Sequence, residues 1–277
     1  MYALASVLQQ RYAAAQPLDR SLRLSLLTRL MRNPAWVLGL ACDGVGFVLQ
    51  FVALGHGPLV VVQPLLVCGL LFALPIGAAW AGRTLHRRDW LAALLVCAGL
   101  AAFLVVAAPH PGHDNVRPLV WAILLTSAGV AVLVLLAASR GRDAWHRAVL
   151  LSGAAGVIYG VTAALTKTCA HLLGQGLGTL FGSWQPYALI GAGVAGMVIA
   201  QSAFQVGSLD SSLPTMSVVD PVVSIVIGAV AFGESIAAAP GAVVIEVLAL
   251  VAMSGGVFLL AYFEGVRALD KPPPSAA

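Results

Sequence analysis

The strongest constraint on this chain is a succession of apolar segments that are each long enough to cross a lipid bilayer. A transmembrane helix needs about 20 predominantly apolar residues. Eight stretches reach that length: residues 35–55, 59–81, 90–108, 119–138, 147–172, 187–207, 213–233 and 240–262. Only 9% of the residues are charged, whereas soluble domains carry about a quarter. The sequence therefore predicts an all-α polytopic membrane protein.

A ninth apolar segment, residues 1–15, is too short to span a bilayer. At about 1.5 Å per residue it covers about 22 Å, and Gln9, Gln10 and Arg11 interrupt it. Either it is a half-helix, or the true start codon lies upstream and part of the first helix is missing. We favour the second interpretation, and expect nine transmembrane helices with the first one truncated.

The basic residues indicate an orientation. If nine segments alternate, 13 of the 15 lysines and arginines lie on one side, after segments 1, 3 and 5 and in the tail. The positive-inside rule places these loops in the cytoplasm. The chain is then a multi-pass plasma (inner) membrane protein with its N-terminus outside and its C-terminus in the cytoplasm. The lipid bilayer is its first expected partner, and the scattered basic residues argue against nucleic acid.

One sequence pattern occurs twice. Residues 53–64 and 203–214 both fit Ala-x3-Gly-x-Leu-x4-Pro at an offset of 150 positions. The matched residues are Ala53/Ala203, Gly57/Gly207, Leu59/Leu209 and Pro64/Pro214. The flanking apolar segments also correspond, so that segments 1–4 match segments 6–9. Because the two units lie five crossings apart, the second is upside down relative to the first. This 4+1+4 inverted repeat is a common plan of secondary transporters, with the site near the midplane between the halves.

The repeat divides the chain into four parts. We expect a first repeat, a connector helix, a second repeat and a disordered cytoplasmic tail, at residues 1–110, 111–145, 146–265 and 266–277. Gly153, Gly156 and Gly160 lie on one face of segment 6. Small residues at this spacing allow a neighbouring helix to approach closely.

Ionisable residues within spans are costly and are candidates for function. There are four, namely Asp43, Lys167, Asp220 and Glu246. By the helical rise, Asp43 and Asp220 lie about 12 and 14 Å into their segments, near the midplane. Asp220 precedes Pro221, whose missing N–H frees a carbonyl one turn back, and Ser217 is expected on the same wall. The alternative for Asp220 is a structural acid that is hydrogen-bonded to a neighbouring helix.

Lys167 and the membrane glutamines have two interpretations each. Lys167 lies near the outer boundary, where it either snorkels or pairs with Asp43, Asp220 or Glu246. Gln50 follows Asp43 by seven residues on the same face, and Gln63 precedes Pro64. Both glutamines are candidates for orienting a substrate, and the alternative is hydrogen bonding between helices.

Signatures of enzymes are absent from the sequence. No His/Cys/Glu cluster has metal-ligand spacing, no Gly-rich phosphate loop follows a strand, and no serine occupies a nucleophile elbow. We therefore predict no catalytic residues, no metal site and no cofactor.

The chain resembles the drug/metabolite transporter superfamily. The resemblance rests on the 4+1+4 arrangement, on PLVVVQPL at 58–65, and on AFGES at 231–235 before a final span. EamA-type members carry a similar Gly-Glu pair at the end of the penultimate helix, here Gly233–Glu234. The first half is similar to the NIPA branch, whose members are described as magnesium transporters with nine spans. The resemblance implies a membrane transporter.

Two positions depart from the NIPA pattern. The membrane glutamate of that branch corresponds to Phe47 and its asparagine to Gln50. Asp43, one turn before Phe47, supplies a carboxylate on the same face. Mg²⁺ prefers octahedral oxygen ligands and sheds water reluctantly, so one displaced carboxylate gives it little support.

The sequence thus predicts a secondary transporter of a small molecule or ion, with alternating access about Pro64 and the Pro214/Pro221 region. Asp220 and Asp43 are the expected proton or cation carriers. The alternatives are a NIPA-like divalent-cation transporter and a non-transporting membrane partner or lipid-handling subunit. The second copy of the motif continues into polar residues and the first does not, so we expect the polar weight of the site on the second half. The substrate, direction, coupling ion and oligomeric state stay open, with a homodimer among the alternatives.

Overall fold

The computed structural model describes residues 1–16, 21–67, 69, 72, 76, 86–107, 112–114, 116–206, 209–234, 248–249, 251–252, 254–256 and 259. These residues contain helices and connecting turns and no strand, which confirms the all-α prediction. The bounded helices are α1 (Tyr2–Ala14), α2 (Leu24–Leu30), α3 (Pro34–His56), α4 (Leu59–Val67), α5 (Arg87–Ala107), α6 (Pro118–Ala138), α7 (Ala144–Gly174), α8 (Leu177–Gly182), α9 (Gln185–Val206) and α10 (Leu209–Ala231).

Four of the described helices, α3, α6, α7 and α9, are long and apolar enough to cross a membrane. A shorter apolar stretch, Thr215–Ala231, lies within α10. Such helices fit a membrane-embedded protein. Most of the last predicted span, 240–262, and the tail after 265 lie outside the described residues.

Helix starts follow the local sequence. Asn33 precedes α3, and its side-chain oxygen accepts hydrogen bonds from the backbone N–H groups of Ala35 (3.0 Å) and Trp36 (3.3 Å). Pro34 occupies the first helical position, where no N–H is needed. Asp143 caps α7 in the same way by accepting from the N–H of His146. Asparagine and aspartate are favoured caps because they satisfy otherwise unpaired N–H groups.

Helix α7 is the centre of the described bundle. It packs against α3, α4, α6, α9 and α10. Of its most apolar 18 residues 72% are buried, against 6% for α6. The side of α6 that faces away from α7 is therefore apolar and exposed, as expected for contact with lipid.

Glycines in α7 allow the close approach of α10, as predicted from their spacing. A Cβ on Gly156 would lie 2.8 Å from Cβ of Val219, and one on Gly160 would lie 2.6 Å from Cγ1 of Val223. Real Cβ atoms are not found at such distances, so α10 takes this position only against glycine. A Cβ on Gly153 would lie 3.8 Å from Cδ1 of Leu135, which is an ordinary contact distance.

One end of the bundle joins segments that the charge pattern assigns to the cytoplasm. Arg147, at the start of α7, donates a hydrogen bond to Ser21 Oγ (3.2 Å). The N–H of Leu22 donates to Ser202 Oγ near the end of α9 (2.8 Å). The connection after α1, the start of α7 and the end of α9 therefore meet, as alternating crossings require.

The opposite end joins segments assigned to the outside. The N–H of His113 donates to the carbonyl of Phe232 after α10 (2.8 Å). His171 near the end of α7 lies 3.3 Å from a carboxylate oxygen of Asp114. At each end of the bundle, the described loops that contact one another are therefore predicted to lie on the same side of the membrane.

Helix boundaries repeat at the offset of the sequence motif. Helix α3 ends at His56 and α9 at Val206, while α4 begins at Leu59 and α10 at Leu209. Both boundaries are 150 positions apart. The packing repeats as well: α1 contacts α9, and their counterparts α7 and α3 contact each other. The contact between α1 and α9 therefore corresponds to the contact between α7 and α3 at the same offset.

Candidate functional site

Six helices, α1, α3, α4, α7, α9 and α10, line an internal cavity of about 650 Å³. Most of the wall is apolar. Its polar side chains come from every one of these helices except α9, and they are Tyr2, Ser6, Gln9, Asp43, Gln50, Gln63, Tyr159, Thr162, Ser217 and Asp220. The cavity lies at the middle of α3, α7 and α10, as judged by the positions of these residues along each helix.

Most residues singled out from the sequence meet at this cavity. The wall contains six of the nine, namely Asp43, Gln50, Gln63, Ser217, Asp220 and Pro221. Pro64 is buried next to Gln63 but is not part of the wall. Lys167 lies elsewhere, and Glu246 is outside the described residues.

A chain of hydrogen bonds fixes the Asp43 carboxylate. Gln9 Nε2 donates to Asp43 Oδ2 (2.5 Å), and Gln201 Nε2 donates to Gln9 Oε1 (2.5 Å). Trp36 Nε1 in turn donates to Gln201 Oε1 (3.3 Å). The chain joins α1, α3 and α9. Because each amide is held from both sides, the orientation of Asp43 is set by three helices.

Asp220 has a simpler environment on α10. Ser224 Oγ, one turn later, donates to Asp220 Oδ1 (3.1 Å). Helix α10 contains Pro221 and runs from Leu209 to Ala231 without interruption. The proline still removes one N–H, so the carbonyl of Ser217 has no helical donor from it. The carboxylate of Asp220 and the hydroxyl and carbonyl of Ser217 therefore lie close together on α10, at the cavity.

Gln63 is the least satisfied polar group of the cavity. Its side chain is fully buried, with 0% of the residue exposed. Neither its amide nitrogen nor its amide oxygen has a hydrogen-bond partner among the described residues. By contrast, Gln50 Oε1 accepts a hydrogen bond from the Tyr2 hydroxyl (2.7 Å). Buried amides are nearly always paired, so Gln63 requires an explanation.

Equivalent positions of the two halves line the cavity together. Of its 22 lining residues, 12 form six pairs separated by 150 positions. These pairs are Gln9/Tyr159, Leu40/Ile190, Asp43/Gly193, Phe47/Met197, Gln50/Ala200 and Leu66/Met216. The motif that gave this offset consists of other residues, close to the boundaries between consecutive helices. The cavity wall therefore shows the 150-position correspondence independently of the motif.

The expected polar asymmetry was wrong. Polar side chains reach the cavity from both halves, and the first half supplies more of them, including Tyr2, Gln9 and Gln50. The motif comparison considered only the segments that follow each copy, and these become α4 and α10. It left out α1 and α3, which supply half of the polar side chains of the wall. Tyr159 was also missed, because one hydroxyl on an apolar helix gives no clear sequence signal.

A second polar cluster lies beyond the cavity, towards the His113 end of the bundle. Glu234, just after α10, accepts hydrogen bonds from the backbone N–H groups of Leu59 and Val60 (2.9 Å each). These are the first residues of α4. Lys167 Nζ donates to the same carboxylate and lies 4.7 Å from the centre of the Phe232 ring. The carboxylate thus caps a helix of the first half and pairs with a cation of the second.

Two glycines make room for Glu234. Gly233 has φ +62°, a left-handed conformation that favours glycine and turns the chain back at the end of α10. A Cβ on Gly228 would lie 2.6 Å from Glu234 Oε2. The Gly-Glu pair is therefore a turn that returns a carboxylate to the preceding helix.

Of the two interpretations of Lys167, ion pairing agrees with the structure, but with an acid that was not predicted, and the predicted partner Glu246 lies outside the described residues. Only 6% of the residue is exposed, so it does not snorkel to the surface. Its partner is Glu234, and neither Asp43 nor Asp220 pairs with it. The sequence concealed this contact because Glu234 follows its span and looked like a loop residue.

The cavity carboxylates have no such compensation. Among the described residues, neither Asp43 nor Asp220 forms an ion pair. The ionisable groups of the described wall are these two carboxylates and the phenols of Tyr2 and Tyr159. The site can therefore accept protons or attract a cation.

Fold and site together define a class: an all-helical protein with apolar helices of membrane length around an internal cavity that carries two carboxylates. The chain is 33% identical over 234 residues to the uncharacterized protein Cgl0250/cg0304 of Corynebacterium glutamicum, covering 83% of this chain and 80% of that protein. The chain belongs to the same family as this corynebacterial protein. A match of that length includes parts of both predicted repeats. No family model and no solved structure matches the chain.

Proposed function

We propose that the protein is a secondary transporter of a small molecule or ion that works by alternating access between two inverted repeats. The observation that supports this most is the cavity itself, since 12 of its 22 lining residues are paired across the 150-position offset. Inverted-repeat transporters bind their substrate between the halves near the midplane. A cavity lined by equivalent positions of two such halves has the required symmetry.

The proposed topology has nine spans in a 4+1+4 arrangement. Its first repeat is 1–110, its connector 111–145 and its second repeat 146–265. The segregation of loops at the two ends of the described bundle supports alternating crossings. With the positive-inside rule, the chain is placed in the inner membrane with the N-terminus outside and the tail at 266–277 in the cytoplasm.

In the proposed mechanism, Asp220 and Asp43 carry the coupling proton or the cationic substrate. Gln50, Gln63 and Ser217 orient the substrate. Both acids line the cavity without an ion-pair partner among the described residues, which makes binding of a proton or cation favourable. The motion between inward-open and outward-open states occurs about the helices that contain Pro64 and Pro221.

The Glu234 cluster has a different part in this mechanism. Glu234 of the second half holds the start of α4 in the first half through Leu59 and Val60. Alternating access requires the halves to separate at each end in turn. The Lys167–Glu234 pair is then the contact that keeps this end closed, and it must rearrange when the end opens.

The resemblance to the drug/metabolite transporter superfamily agrees with this proposal. Phe47, which corresponds to the membrane glutamate of the NIPA branch, lines the cavity, and so does Asp43 one turn earlier. A carboxylate is therefore available on the same wall. For magnesium, however, the described residues contain no group of three or more His, Cys, Asp and Glu side chains that could hold a metal ion.

Cysteine accessibility tests the proposal without knowledge of the substrate. A variant with the four native cysteines changed to alanine receives one cysteine at Ser217 or Gln50. A membrane-impermeant maleimide is then applied to right-side-out or inside-out vesicles. Alternating access predicts labelling from both sides at both positions. A cysteine at Val134, on the exposed side of α6, is the lipid-facing control and should react from neither side.

The other outcomes assign other functions. Labelling from one side only would contradict alternating access and indicate a receptor-like pocket. No labelling from either side would favour the non-transporting membrane partner or lipid-handling subunit. Stabilisation by millimolar Mg²⁺ that is lost in Asp43→Asn would favour the divalent-cation alternative.

A further inference from the structure

We infer that the cavity takes a protonated organic amine with an apolar body, and that Gln63 selects among such amines. The inference rests on the proposed function, because it assumes that the cavity is the substrate site. It is carried by three features of the described wall: its uncompensated charge, one unpartnered amide and the apolar surface between them.

The carboxylates of the wall favour a cationic ligand when they are ionised. The described lining contains two carboxylates, Asp43 and Asp220, and no lysine, arginine or histidine. A buried carboxylate that stays ionised needs a positive partner. Asp43 is held by Gln9 and Asp220 by Ser224, and both of these donors are neutral. An ammonium group in the cavity would supply the missing positive charge.

Gln63 is an independent pointer to a ligand. It is fully buried, it faces the cavity, and both polar atoms of its amide are unpartnered among the described residues. Leaving a buried amide unpaired costs free energy. Its oxygen can accept from an ammonium group, while its NH₂ group needs an acceptor. The best-fitting amine therefore carries a hydroxyl, ether or carbonyl oxygen near its nitrogen.

The apolar wall and the volume select an organic cation over a metal ion. Phe47, Phe204, Met197 and Met216 line the cavity between the polar groups, and aromatic faces attract cations. The volume of about 650 Å³ falls in the range of about 300–1,000 Å³ for small-molecule sites. A hydrated ion would leave these apolar side chains without a partner, whereas a hydrocarbon body would cover them.

Ligand binding to the full chain in detergent tests the inference. The probes are phenethylamine, its neutral analogue phenethyl alcohol, its anionic analogue phenylpropionate, the hydroxylated amine phenylethanolamine, and MgCl₂. Thermal unfolding is followed at increasing probe concentration and gives an apparent Kd. We expect stabilisation by the two amines and little by the neutral, anionic and metal probes. Phenylethanolamine should bind more tightly than phenethylamine.

Variants assign the binding to the cavity. Asp220→Asn and Asp43→Asn should each weaken amine binding by roughly tenfold or more, since each removes a buried charge partner. Gln63→Leu should weaken the binding of both amines, because each loses the amide oxygen, and it should abolish the preference for phenylethanolamine, which also loses the amide donor. Asp143→Asn, at an exposed carboxylate outside the cavity, is the control and should bind like the wild type. Circular dichroism establishes that each variant is folded.

The outcomes separate the inference from the proposed function. Stabilisation by the alcohol or the propionate but not by the amines overturns the amine inference and leaves a solute site. If no probe binds while cysteines at Ser217 and Gln50 react from both sides, the amine inference fails and the transporter proposal stands. Amine binding that survives both aspartate substitutions places the amine elsewhere and overturns the inference.

Discussion

Two acidic regions of this protein differ in how their charge is satisfied. Glu234 has three donors, the N–H groups of Leu59 and Val60 and the ammonium of Lys167. It lies at a helix N-terminus, where the helix dipole also favours negative charge. This carboxylate needs nothing further from a ligand.

The cavity acids present the opposite case. Asp43 and Asp220 each accept one hydrogen bond from a neutral side chain, and neither has a cation partner among the described residues. Gln63 next to them is unpaired among the described residues. Natural proteins leave polar groups unsatisfied mainly where function requires it. Under the proposed function, Glu234 holds the two repeats together, while the cavity acids are available to a ligand.

The largest effect is expected from Glu234→Gln. The substitution leaves Lys167 buried without a counter-charge, and breaking a buried pair in this way costs about 3–5 kcal/mol. Thermal unfolding in detergent, followed by circular dichroism, should show a large loss of melting temperature. An unchanged melting temperature would contradict the assignment of Glu234 as a structural acid.

Lys167→Met provides the matched variant. It removes the cation but leaves Glu234 with the two N–H donors of α4, so its loss should be smaller than that of Glu234→Gln. The double variant should recover part of the loss, because no unpaired ammonium then remains buried. A double variant whose loss equals the sum of the two single losses would show that the two residues act independently of their pairing.

The next largest effect is expected from Gly228→Ala, which tests the space around Glu234. The added Cβ would lie 2.6 Å from Glu234 Oε2 and 3.0 Å from Cγ2 of Val60. Overpacking of this kind costs about 1–3 kcal/mol. Gly129→Ala is the control, since nothing lies within 4 Å of a Cβ at that helical position. It should be neutral or slightly stabilising, because glycine is less favourable than alanine within helices. Equal effects at both positions would argue against close packing at Glu234.

The sequence singled out the acids of the cavity, Asp43 and Asp220, but not the acid Glu234 as a site residue. Asp43 and Asp220 lie within apolar segments, where any charge is conspicuous, and the helical rise placed both at one depth. Glu234 lies just beyond a segment, where hydropathy expects charge anyway. Its contacts depend on the left-handed turn at Gly233. They also depend on hydrogen bonds to Leu59 and Val60, which precede it by 175 and 174 positions in the sequence. The Gly-Glu motif was visible, but its meaning required the fold.

The same reasoning explains what the sequence could and could not give of the fold. Apolar length predicted most helix boundaries to within a few residues, because crossing a bilayer sets the length of a helix. The repeat offset reappeared in the helix ends and in the cavity wall. The contributions of Tyr2, Gln9 and Tyr159 were not foreseen, since the face that a neutral polar residue presents is set by packing between helices.

A smaller effect, of opposite sign, is expected from Asp220→Asn. The asparagine keeps an oxygen that can accept from Ser224 and removes a buried charge that has no cation partner among the described residues. The free energy of unfolding should therefore change by less than about 1 kcal/mol, in the stabilising direction. Thermal unfolding of Asp220→Asn and Glu234→Gln under the same conditions compares the two changes in stability. A loss as large as that of Glu234→Gln would show that Asp220 is structural and would remove the distinction between the two regions.

The smallest effect is expected from Asp143→Asn, at an exposed carboxylate that serves as reference for both regions. The hydrogen bond with the His146 side chain lowers the pKa of Asp143 below its ordinary value. A group whose pKa is lower in the folded state stabilises the protein above its unfolded pKa and loses this contribution as the pH falls through the folded pKa. Asparagine is also a good helix cap, so the substitution isolates the charge.

The Asp143→Asn variant should melt slightly below the wild type at pH 7, and the difference should shrink as the pH falls through the lowered pKa of the wild-type carboxylate. Paired melting curves across this pH range measure it. A difference that persists in acid would assign the effect to the cap hydrogen bond and not to the charge. In either case it should stay far below the loss in Glu234→Gln, because water already solvates an exposed carboxylate and little is gained by pairing it.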